Sequence, residues 1–181
     1  VSVRHGGTQL ANGDELNGIS FGGVGSGTTV EYIEIVANAD DGLEFYGGAV
    51  NATNIIIWNN GDDALDTDNG YVGTISNFVV SGPAGSCFEL DGPEGSTTTI
   101  NANHTIQNGT VVATRADGNT SAGDLLNYDD NTNFSINNVN WRNVTAGQVY
   151  NPNGVVTSIQ TFSNLTIDVP AGDIPSYING T

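Results

Sequence analysis

The sequence predicts an all-β solenoid, a right-handed parallel β-helix of about seven coils. Three observations carry this. One pattern is written three times: residues 30–35 then 40–45, 54–58 then 62–67, and 77–80 then 86–91. Its acidic position recurs in phase, with Glu44 to Asp66 spanning 22 residues and Asp66 to Glu89 spanning 23. Within each copy apolar residues alternate, placing Ile33 with Ile35, Ile55 with Ile57 and Phe78 with Val80 on one face. Short strands at such a period, joined by Gly-rich corners, are the signature of stacked repeats. An antiparallel sandwich or jelly roll also has many short strands, but the in-phase return of the acidic segment favours the solenoid.

Taken in order, Val1-Ser2-Val3-Arg4 reads as a short strand ending at His5-Gly6-Gly7. Leu16 to Phe21 reads as a second, closed by Gly22-Gly23-Val24-Gly25-Ser26-Gly27, a corner where a Cβ would clash or φ must be positive. In the three clear copies, Leu43, Leu65 and Phe88 are expected to form a second inward column. The corners are Asn38-Ala39-Asp40, Asn59-Asn60-Gly61 and Ser81-Gly82-Pro83. Loop insertions are expected near 96–103 and 115–123, with strands returning at 104–112 and 124–129. A strand pair is expected at 134–136 and 139–141, and a last coil at 165–167. The tail 168–181 carries Pro170 and Pro175, which suit an edge or a non-strand segment. No helical periodicity occurs, and the whole of 1–181 reads as one domain.

The charge is −17, from 3 basic and 20 acidic residues, with no Lys. Such a chain repels nucleic acid and anionic membranes, and no apolar run is long enough for membrane insertion. Disorder is disfavoured by a 37% hydrophobic content. The single Cys87 precludes an internal disulfide and a Cys-based zinc site. Absence of Met, even at residue 1, suggests a processed product or an excised piece. Abundant Gly, Asn, Thr and Asp suit an extracellular or cell-surface β protein.

Several strings together are specific: Val3-Arg4-His5-Gly6-Gly7, Glu15-Leu16-Asn17-Gly18-Ile19, the glycine cluster running on through Thr28-Thr29-Val30-Glu31-Tyr32, Asp40-Asp41-Gly42-Leu43-Glu44-Phe45-Tyr46-Gly47-Gly48, and Glu89-Leu90-Asp91-Gly92-Pro93-Glu94-Gly95. Through them residues 1–95 resemble a largely uncharacterised group of secreted or surface right-handed β-helix proteins of bacteria. The resemblance continues weakly to about residue 145. It implies the β-helix and an extracellular setting, and brings no catalytic residues. The sequence is short and ends without the secretion or anchoring domain often attached to such proteins, which fits either a whole mature subunit or a fragment.

The acidic recurrence is the first candidate for chemistry. Glu44, Asp66 and Glu89 fall at equivalent positions with Asn127 next, and Asp68, Asp91 and Asp129 form a neighbouring set. Asp40, Asp41, Asp62 and Asp63 lie at the preceding corner. Coils about 4.8 Å apart would stack these carboxylates against one another. They must then bind a cation, share a proton or splay into water. Ca²⁺ is the candidate cofactor, since it takes many oxygen ligands, and the candidate ligands are Asp40, Asp41, Glu44, Asp62, Asp63, Asp66, Asp68, Glu89 and Asp91. The bland alternative is a solvated acidic face. Asp66-Thr67-Asp68-Asn69-Gly70 is one residue short of a calcium-loop spacing.

Sugar chemistry is the second candidate. Glycoside hydrolysis needs two carboxylates, available in Asp62, Asp63 and Asp66. Uronate lyase chemistry needs a base, commonly Lys or Arg, and Arg4, Arg115 and Arg142 all lie outside the acidic repeat. His5 and His104 are too few and too far apart for a metal cluster or triad. Cys87 reads as a small core residue, Trp141 as core, and Trp58 as outward-facing. Glycan acceptor sequences occur at Asn51, Asn103, Asn108, Asn119, Asn133, Asn143, Asn164 and Asn179.

The chain is therefore expected to be an extracellular structural or adhesive β-helix, a self-assembling subunit of a surface fibre stabilised by Ca²⁺. Its expected partners are another copy of itself, end to end or laterally, or surface carbohydrate. The alternative is a polysaccharide-binding or polysaccharide-hydrolysing β-helix working over the acidic columns. A groove lined by Asp62, Asp66, Glu89 and Trp58 would favour that alternative.

Overall fold

A computed structural model describes residues 1–10, 14–93, 103–115, 123–129, 132–153 and 159–169. Among these, every helix or strand is a strand: β1 (Ser2–Arg4), β2 (Ile19–Gly22), β3 (Thr29–Val36), β4 (Leu43–Tyr46), β5 (Asn51–Trp58), β6 (Leu65–Asp68) and β7 (Thr74–Ser81). They continue as β8 (Phe88–Leu90), β9 (Asn103–Val112), β10 (Leu126–Asp129), β11 (Asn133–Arg142), β12 (Tyr150–Asn153), β13 (Gln160–Ser163) and β14 (Thr166–Ile167). Sheet A is ordered β1-β3-β5-β7-β9-β11-β13, with β14 also on β11, and sheet B is β2-β4-β6-β8-β10-β12. Every pairing is parallel. The chain thus crosses between two sheets on every winding, which is the expected parallel β-helix. The seven strands along sheet A agree with about seven coils, and a sandwich is excluded because no pair among the described residues is antiparallel.

The core lies between the sheets, in columns. Ile35, Ile57, Val80, Val111 and Trp141 stand in register across sheet A, all fully buried. Leu43, Leu65, Phe88 and Leu126 do the same across sheet B. Each such side chain contributes roughly 1.5–3 kcal/mol by leaving water. Rings form a further column: Phe21–Phe45 at 5.3 Å, Phe45–Tyr71 at 4.5 Å, Tyr71–His104 at 5.6 Å, His104–Phe134 at 6.1 Å and Phe134–Phe162 at 5.8 Å. Cys87 and Trp141 are buried and Trp58 is exposed, as their sequence contexts suggest. His104 is a core residue and His5 is exposed.

The long strands of sheet A are bent. Strict alternation separates inward residues by an even number, yet Val30 and Ile33, Ala52 and Ile55, and Ile75 and Phe78 are all buried and three apart. The extra residue sits in the left-handed region: Tyr32 (φ 56°), Asn54 (60°), Asn77 (55°), Asn108 (59°) and Asn138 (55°). Asn reaches that region at lower cost than most residues. The two strands expected at 134–136 and 139–141 are therefore one strand, β11, bent at Asn138. Gly109, next to a bend, lies where any Cβ would run into the Phe78 ring.

Other boundaries shift. Sheet B starts at Ile19, not Leu16, which is exposed. Asn103 opens β9 instead of closing an insertion. Residues 96–102, 116–122 and 170–181 of the expected insertions and tail lie outside the described residues, together with Asn119 and Asn179. Strands β12 and β13 have no counterpart in the sequence reading.

Candidate metal centre

The corner leading into sheet B is built by buried asparagines. Asn38 Nδ2 donates to the carbonyls of Asp41 at 2.9 Å and Leu16 at 3.2 Å. One coil on, Asn60 Nδ2 donates to the carbonyls of Asp63 (2.6 Å), Asp62 (2.8 Å) and Asp40 (3.4 Å). These bonds fold the aspartates of each corner over the start of sheet B. The corners are also tied to each other: Asp41 Oδ1 accepts the Asp63 amide at 3.0 Å, and Asp63 Oδ1 accepts the Ser86 amide.

Inside sheet B, Ser20, Glu44, Asp66, Glu89, Asn127 and Asn151 are consecutive register partners. The stacking of Glu44, Asp66, Glu89 and Asn127 expected from their spacing is therefore present. Asp68 pairs with Tyr46; Thr67, Leu90 and Tyr128 are partners, so Asp68, Asp91 and Asp129, each one residue further on, run alongside. Although these carboxylates alternate with core residues, Glu44 is only 3% exposed and Asp66 7%. Glu44 Oε2 and Asp66 Oδ1 are buried without a hydrogen-bond partner.

Not all nine candidate ligands converge. Asp41, Glu44 and Asp66 bring one carboxylate oxygen each within 4.8 Å of one another, and Asp40, Asp41 and Asp62 form a second such group. Asp41 is common to both. Asp63, Asp68, Glu89 and Asp91 belong to neither: Asp63 has one oxygen on the Ser86 amide, and Glu89 Oε1 accepts Asn127 Nδ2 at 3.3 Å.

The crowding shows in the electrostatics. Burial raises Asp66, and the charges of Asp41, Asp68, Glu44 and Glu89 raise it further. Burial, then Asp63 and Asp40, raises Asp41. Glu44 is raised chiefly by burial, and Asp62, by burial and then Asp63, is pushed up to about 6. No strand of sheet B carries Lys or Arg. Arg4 pairs instead with Glu34 of sheet A at 2.5 Å. The arrangement suits a hard divalent cation: three convergent carboxylates whose mutual repulsion that ion would cancel.

The glycan acceptor positions scatter over the strands and turns. Asn51, Asn103, Asn108, Asn143 and Asn164 are exposed, and Asn133 is half-buried with its Oδ1 taken by the Ile159 amide at 2.7 Å. Trp58 stands on sheet A and Asp66 and Glu89 on sheet B, so the acidic columns and the indole belong to different sheets.

Parallel windings that cross between two sheets on each turn define a parallel β-helix. A family model described as a pectate-lyase-like beta helix domain matches residues 1–174, and the chain belongs to that family. Comparisons with curated proteins and with solved structures give no significant match.

Proposed function

We propose that the chain is an extracellular structural or adhesive β-helix that binds Ca²⁺ at Asp41, Glu44 and Asp66. The observation that carries this is the convergence of those three carboxylates, with Glu44 Oε2 and Asp66 Oδ1 buried and unpartnered. A cation there would tie the corner before sheet B to two successive coils. The other described strands form a stack of parallel windings suited to displaying a surface, with other copies of the chain or surface carbohydrate as partners.

The family's name raises cleavage of acidic polysaccharide. Against that reading stand a charge of −17 and sheet B strands without a basic residue to take the sugar's proton. Hydrolysis needs carboxylates about 5–9 Å apart with a sugar between them. Of the three aspartates that reading would use, Asp62 is exposed but Asp63 and Asp66 are each only 7% exposed, nearly sealed from a sugar.

Calorimetric titration of the EDTA-treated protein with CaCl₂ tests the proposal. The expected result is saturable binding that is lost in Asp66→Asn and raises the melting temperature of the parent chain alone. Absence of both heat and thermal shift in the parent chain would sink it.

A further inference from the structure

The bend residues of sheet A create a second feature, remote from sheet B. Along the helix axis, Asn54, Asn77, Asn108 and Asn138 line one side of a shallow, open groove of about 590 Å³. Its other side is the register column Ile56, Val79, Thr110 and Asn140. Tyr32 stands at one end.

Four properties decide what this groove suits. Among the described residues its lining holds no charged side chain, on a chain carrying −17. It keeps apolar surface in water: Tyr32 is 68% exposed, Ile56 45% and Val79 44%. Tyr32 does so at φ 56°, an outlier for a bulky residue. The strands beneath are paired on both sides, so no backbone edge is open to an added peptide strand. Recognition must come from side chains.

Those side chains are amides repeating once per coil, at about 4.8 Å. Asn138 Nδ2 donates to Asn108 Oδ1 at 2.9 Å and Asn77 Nδ2 to Thr53 Oγ1 at 3.3 Å, which leaves each amide further donor or acceptor capacity. Groups that both donate and accept match hydroxyls, and the strip of Ile56 and Val79 beside them matches the C–H faces of sugar rings. We propose that this groove binds one chain of an uncharged, linear polysaccharide laid along the helix axis. The proposal uses no residue of the acidic corner, so it stands or falls apart from calcium binding.

The test is native affinity electrophoresis through gels containing hydroxyethylcellulose, xyloglucan or galactomannan, with polygalacturonate as the charged control. Protein from a bacterial host without N-glycosylation keeps Asn108 and Asn164 bare. Retardation is expected with at least one neutral polymer and not with polygalacturonate. Affinity should fall at least tenfold in the double variant Ile56→Asp/Val79→Asp and in Asn108→Asp, which leaves the apolar strip intact, and stay unchanged in Asp66→Asn. Melting curves establish that the groove variants are folded. No retardation by any neutral polymer, equal retardation by polygalacturonate, or full binding by folded groove variants overturns the proposal. So does a parent dimer that the double variant dissociates in sedimentation, since the groove would then be a contact between copies.

Discussion

Glu44 and Asp66 are direct register partners in sheet B, and each buries one carboxylate oxygen, Glu44 Oε2 and Asp66 Oδ1, that has no hydrogen-bond partner among the described residues. Parallel pairing brings two like charges about 4.8 Å apart and burial denies them water. Asp66→Asn should therefore stabilise the calcium-free protein at pH 8 by on the order of 1–3 kcal/mol, the cost of an uncompensated buried polar group. That is a rise of about 2–4 °C in melting temperature per kcal/mol for a domain of this size. Thermal melts in EDTA check it; a variant that melts lower than the parent chain would contradict the repulsion.

The same carboxyls set a pH dependence. Their folded values are raised, so the folded state holds protons that the unfolded chain gives up near pH 4. Stability then falls as pH rises from about 4, through about 6 for Asp62 and about 8 for Asp41. In EDTA the melting temperature should drop by several degrees between pH 5 and 8. Excess Ca²⁺ should reduce the drop, because at Asp41, Glu44 and Asp66 the ion replaces the protons.

His104 acts in the opposite sense. Burial lowers it to about 4, and its Nε2 lies 3.4 Å from Thr67 Oγ1 inside the ring column. The unfolded chain takes up a proton near 6.5 that the folded state refuses. Stability carried by the neutral imidazole is full above 6.5 and is lost as pH falls towards 4. His104→Phe, which keeps a ring between Tyr71 and Phe134, should remove this acid-side loss. Urea midpoints at pH 5 and 7 for both proteins measure it.

At the corner, Asn60 serves three carbonyls through one amide. Asn60→Ala leaves buried acceptors unpaired and should cost about 2–4 kcal/mol. Calcium affinity should fall with it, since Asn60 anchors Asp63, whose amide positions the Asp41 carboxylate. Chemical denaturation and calcium titration of one preparation separate the two effects.

Gly109 and Phe78 are matched in shape across adjacent coils. Gly109→Ala alone should cost about 1–3 kcal/mol through overpacking. Combined with Phe78→Leu, the loss should be smaller than the sum of the single losses. Additive losses would mean the ring does not occupy the space the missing Cβ leaves.

How much of this was legible in sequence depends on how each feature repeats. Glu44, Asp66 and Glu89 return at nearly constant spacing, and in a solenoid equal spacing is adjacency, so the acidic column could be read directly. Leu43, Leu65 and Phe88 were legible for the same reason. The bend column was not, although its signal is there: the buried positions Ile75 and Phe78 are three apart, and Asn77 fills the odd place. Reading alternation only within 77–80 hid the change of parity. Which aspartates converge was also illegible, because Asn60 folds the corner through backbone carbonyls, and side-chain spacing carries no trace of that. Strands β12 and β13 lack the repeat's acidic segment and so gave nothing to align.

The ring column from Phe21 to Phe162 bears on how the molecule yields to load. Each ring rests on those of the windings before and after it, and Phe134 and Phe162 also meet the sheet B rings Tyr128 and Tyr150. Tension applied at the two termini would meet that resistance one turn at a time, peeling the stack from an end, while a push along the axis would be shared by every ring at once. Such a body is a strut: stiff in compression, and extensible only by being unwound.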